Sequence, residues 1–195
     1  MYPMKVTIPK PQSDGDFFVV PEGVHLARLI HFIDLGTRIK SYNGEDKRVR
    51  QVHLGFELGE VLHDFGKGTP EPAYMKMIET YSSSEKANLT KIIKGWIGVD
   101  ISKDTNFDVQ TLFEKPTQLF VSHQKKENAT YANITSVSPV HPSLPVPERH
   151  NTIRVLSLSP QEYDHAVYNN LPDGLKKKIA ESPEFQSLVQ GGLTK

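Results

Sequence analysis

Between positions 24 and 35 (VHLARLIHFIDL) apolar and polar side chains alternate. This pattern predicts a long strand with Ala27, Leu29, Ile33 and Leu35 on one side and Arg28, Ile30 and Phe32 on the other. A second run, residues 49–58, sets Val52, Leu54, Phe56 and Leu58 against Gln51, His53 and Glu57. Between the two lies Asn43-Gly44, a turn signal because both residue types tolerate positive φ. A short extended stretch at 61–65 leads into the turn sequence 66–70, and the segment 72–81 does not settle between strand and helix. Leu89, Ile92, Ile93, Trp96 and Ile97 then recur at helical spacing after a helix start near Ser84, which puts Trp96 on the buried side. One helical turn is expected at 108–113. Two more strands follow at 117–123 and 130–137, separated by a polar loop at 124–129.

Pro139, Pro142, Pro145 and Pro147 mark a stiff linker. Beyond it, 160–169 and 174–181 are helical candidates, with a final turn near 184–189. The organisation expected is therefore a proline-containing arm at 1–22, a strand-rich domain at 23–139, a linker at 140–150 and a helical section at 151–195. In class the chain reads as mainly β with flanking helices, an α+β protein.

Composition narrows the picture only a little. The 195 residues can bury one sizeable core, and Lys plus Arg equals Asp plus Glu at 23 each, so any cationic surface must be local. The absence of cysteine excludes disulfides, thiolate catalysis and cysteine-ligated zinc, and fits an intracellular protein. No segment approaches the roughly 20 apolar residues of a membrane span, and the first residues lack the apolar run of a secretion signal. The expectation is a cytoplasmic protein with no membrane partner.

Local chemistry points to binding. Arg38, Lys40, Lys47, Arg48 and Arg50 sit in and beside the turn between the first two strands, where they could hold phosphates and release counterions, or simply form a solvated tip. Tyr42, in the same stretch, could stack a base. Arg28 and Phe32 on strand one and His53 on strand two could line a groove, although Phe32 reads equally as core and His31 as a satisfied buried histidine. Phe120 and Tyr131, both on the outward sides of their strands, are the best stacking candidates, with ordinary cross-strand packing as the alternative.

Catalysis finds no comparable set. None of the eight histidines forms HExxH or a helical pair at metal spacing, the GKGT at 66–69 lacks a full phosphate-loop pattern, and no GxSxG elbow occurs. No catalytic residue, cofactor or metal is assigned. Acids brought together in space could still make a metal-dependent nucleic-acid enzyme.

Six segments together resemble phage-type single-stranded DNA-binding proteins with an OB fold. They are EGVHLARLIHFIDLGT at 22–37, VHLGFEL at 52–58, LTKIIKGWIGVDI at 89–101, FDVQTLFEKPTQLFVSH at 107–123, YANITSVSP at 131–139 and LPDGLKKKIAESPEF at 171–185. The resemblance implies an OB-fold five-stranded barrel with the 89–97 helix between its third and fourth strands, followed by the helical C-terminal section. It also implies non-catalytic, largely sequence-independent binding and protection of single-stranded DNA during phage replication or recombination, in the host cytoplasm. Arg28, Arg50 and Tyr131 would be groove residues. Replication or recombination proteins, and further copies of the chain, would be partners. The chain departs from such proteins in lacking a strongly acidic C-terminal tip. The alternative is an OB-fold interaction or structural module of a phage assembly.

Overall fold

The computed structural model describes residues 18–192 apart from 43, 105, 128 and 147. The arm before residue 18, Asn43 of the turn, Pro147 of the linker and the last three residues lie outside the described residues, as does the side chain of Tyr42.

Strands β1 (Gly23–Tyr42) and β2 (Glu45–His63) form one long antiparallel hairpin. Along β2 the alternation holds: Val52, Leu54, Phe56 and Leu58 enter the main core. Along β1 it does not. The register slips between Leu29 and His31, a β-bulge that turns the following residues over. Ala27, Leu29 and Phe32 therefore join the main core, while Ile33 and Leu35 join a second core on the opposite face.

β3 (Glu71–Thr80) resolves the ambiguous segment as a strand, burying Ala73 and Met75 while Tyr74 and Lys76 face out. Helix α1 (Asn88–Ile97) buries Leu89, Ile93 and Trp96 as its spacing requires; the Trp96 indole donates to the Pro116 carbonyl at 2.8 Å, and Gly98 closes the helix at φ 77°. Helix α2 (Gln110–Glu114) adds Leu112 and Phe113 to the same core. Strands β4 (Pro116–Lys126) and β5 (Ala129–Pro139) extend the hairpin into most of the expected loop.

The sheet order is β3-β2-β1-β4-β5, and no ladder joins β3 to β5 among the described residues. A sixth strand, β6 (Arg154–Leu156), runs parallel to β1 from His31 to Ile33. The OB-fold five-stranded barrel is thus corrected to an open, six-stranded mixed sheet with helices against it. Local alternation cannot distinguish the two, because closure depends on hydrogen bonds between strands far apart in sequence.

The C-terminal section is built into this sheet. Through β6 and helices α3 (His165–Asn169), α4 (Asp173–Ala180) and α5 (Pro183–Gln190) it covers Ile33 and Leu35 with Leu156, Leu158, Leu171, Ile179 and Leu188. Three carboxylates tie it down. Glu57 of β2 accepts from the His150 amide at 2.7 Å and from the Asn151 amide and side chain at 2.8 and 2.9 Å. Asp34 of β1 is fully buried, pairs with Arg50 and accepts from the Leu158 amide at 3.3 Å. Glu184 of α5 reaches back to accept from the amide and hydroxyl of Thr37 at 2.8 and 2.5 Å.

Candidate nucleic-acid interface

The face of the sheet opposite α1 and α2 carries the exposed rings. One register row crosses it, from Tyr74 on β3 through Glu57 and Arg28 to Pro116 on β4. Farther along β4, Phe120 stands beside Val24 of β1, and both are exposed because Leu119 and Val121 take the core-facing positions. Tyr131 of β5 pairs with Gln124 while Phe120 pairs with Ser136. The two rings are therefore offset by four residues along β4, about 13 Å at strand rise, and do not stack on each other. Their exposures are 39% for Phe120 and 52% for Tyr131.

Tyr74, 40% exposed, sits where three clefts meet. One, of about 350 Å³, runs past His31, Phe65 and Arg154. A second, of about 640 Å³, lies along the unladdered seam between β3 and β5, with residues 18–20, Lys76 and Tyr131 on its walls. The third, of about 440 Å³, separates Tyr74 and Lys76 from Leu175 and Lys178 of α4. Aromatic and cationic side chains thus both line the clefts that meet at one tyrosine.

The ring is held from below. Tyr74 Oη lies 3.0 Å from His31 Nδ1 and 2.6 Å from His53 Nε2 and so bridges the two imidazoles, donating to at most one of them. Gly55 makes this approach possible: a Cβ there would fall 2.1 Å from the tyrosine hydroxyl. Burial, and then the Arg154 charge, pushes the His31 pKa down to about 4. Burial, then His31, Lys76 and Lys178, pushes His53 down to about 3. Both rings are therefore neutral at ordinary pH. Burial raises the pKa of the Tyr74 phenol, so the hydroxyl stays protonated and is a support, not an activated nucleophile. His53 Nδ1 is buried with no hydrogen-bond partner among the described residues.

The residues singled out from sequence are distributed unevenly. Phe120 and Tyr131 lie on the open face. Arg28 is on that face too, engaged in an interaction within the protein. Phe32 is packed in the core at 2% exposure, edge-on to Tyr81, and His53, also 2% exposed, lies beneath Tyr74; neither presents a ring to solvent. Arg50 is committed to Asp34 and lies over the Tyr81 ring, its pKa raised chiefly by the Asp34 hydrogen bond. Arg38 donates to Glu181 at 3.0 Å and to the Lys178 carbonyl, so it anchors α4. Lys40 and Arg48 are exposed near the hairpin end, and Tyr42 occupies the last position of β1.

Sequence reading missed Tyr74, Lys76, Arg154 and Lys178. Only the first two carried a usable signal, the alternation Tyr74-Met75-Lys76 with the middle residue buried.

Among the described residues no group of three or more metal-ligating side chains is placed to hold a metal ion, and no helix is long and apolar enough to cross a membrane. No protein-family model matches the chain, and no curated protein matches it in sequence. The resemblance to phage-type OB-fold proteins is overturned by the open sheet, and the OB-fold and phage assignments that rested on it fall with it.

Proposed function

We propose that the protein binds single-stranded DNA without catalysis and with little sequence preference, using the open face centred on Tyr74. The observation that carries this reading is the junction at Tyr74, where three clefts lined by aromatic rings and by Lys76, Lys178 and Arg154 converge. A single strand needs such an arrangement: rings take the faces of any base, and cations track the phosphates. Tyr131, on the wall of the seam cleft, extends the stacking surface beyond the junction, and Phe120 stands apart from it, farther along β4. The chain's formal net charge of zero does not oppose this, because Arg38 and Arg50 are consumed in ion pairs elsewhere while Lys76 and Lys178 stand at the clefts.

The test is fluorescence anisotropy of a labelled oligothymidine, on the order of 30 nucleotides to span several stacking positions, at low and high salt with duplex DNA and single-stranded RNA as competitors. Binding that weakens with salt and resists the duplex is the expected result. No binding at low salt would overturn the proposal.

A further inference from the structure

Resting on the strand-binding reading, we infer that the cleft between α4 and the sheet holds one nucleotide of the bound strand, its base against Tyr74 and Leu175 and its phosphate between Lys76 and Lys178. The C-terminal section is then half of the binding site.

The cleft, about 440 Å³, lies within the range of small-ligand pockets, and its walls are predominantly apolar. Tyr74 and the two histidines form one wall; Pro172, Gly174 and Leu175 form the other. Two cations line it. Lys76 and Lys178 are exposed, and neither is ion-paired among the described residues, whereas Lys176 on the same helix is held by Asp173 at 2.9 Å. Lys76 lines the cleft from the sheet and Lys178 from α4.

The wall formed by α4 is fixed in place. Arg38 grips Glu181 and the Lys178 carbonyl, and Glu184 grips Thr37, so a ligand meets a cleft already assembled. Gly174 lies on the cleft wall. A Cβ added there meets no atom within 4 Å, and the backbone there has no positive φ to strain a side chain. A larger residue would occupy ligand space without clashing with the protein.

The experiment uses the full chain and the same labelled oligothymidine. Lys76→Ala and Lys178→Ala should each reduce the slope of log affinity against log salt, and the double variant should reduce it by about 0.7, the value for one phosphate contact on a single strand. Lys177→Ala, an exposed cation of α4 outside the cleft, should leave the slope unchanged. Gly174→Leu should weaken binding by about tenfold or more, as loss of one base stack does, with a melting temperature equal to or above wild type because leucine favours the helix. Wild-type binding that Gly174→Leu and Lys178→Ala both retain, with an unchanged salt slope, would overturn the inference and leave strand binding standing. A wild-type protein that does not bind the strand would overturn both.

Discussion

Tyr74 combines two tasks, since its ring is open to the outer face and its hydroxyl joins His31 to His53. The two can be separated. In Tyr74→Phe the ring remains but both imidazoles lose a partner, so the unfolding free energy from urea denaturation should fall by about 1–3 kcal/mol while strand affinity is retained. Tyr74→Ala should lose affinity as well, by roughly 5- to 150-fold in anisotropy, the range of one base stack. The histidines add a dependence on pH. Their folded pKa values, about 4 and about 3, lie below the 6.5 of the unfolded chain, so between those values the unfolded state binds more protons. Stability therefore rises with pH through that window and falls on acidification from pH 7 toward pH 4. Urea midpoints at pH 7 and about pH 4.5 should differ in that sense, and the difference should shrink in His31→Gln, whose side chain does not titrate.

Elements were legible wherever one face alone was buried against one core. Helix α1 and the alternation of β2 could be read directly, because Leu89, Ile93 and Trp96, and Val52 through Leu58, each serve the main core. β1 was misread past Leu29 because its bulge sends Ile33 and Leu35 to a different core, and no single residue there announces the slip. β3 was ambiguous because apolar residues lie on both of its sides, Met75 and Met77 toward the main core and Ile78 toward the second, with Tyr74 exposed. The rest of the site was illegible for a different reason: Arg154 and Lys178 reach Tyr74 only through tertiary packing. A second register shift, between Asp34 and Gly36, also sets a close contact. Gly36, at φ 70°, leaves room for Ser182, which is fully buried and caps α5; a Cβ would fall 2.3 Å from the serine Cβ. Gly36→Ala should therefore cost about 1–3 kcal/mol, seen as a lower melting temperature and faster amide exchange in α5, with exchange in the β2–β3 ladder preserved.

At the scale of the molecule, the C-terminal section is joined to the sheet through β6 and through buried carboxylates. Glu57 is nearly fully buried and accepts three hydrogen bonds from residues 150 and 151. In Glu57→Gln an amide NH₂ faces donors it cannot accept from, so stability should fall by about 1–3 kcal/mol, and protease cleavage within 140–150 should accelerate relative to wild type.

Those long-range carboxylate contacts also set the order of events during synthesis. Asp34 and Leu158 are 124 residues apart, an interval of on the order of ten seconds at a ribosomal rate of about 5–20 residues per second. Until that stretch emerges, Glu57 lacks its donors at residues 150 and 151, Asp34 has only its hairpin partners, and Ile33 and Leu35 stay uncovered. The nascent hairpin therefore exposes the apolar surface of the second core until the last third of the chain arrives to cover it.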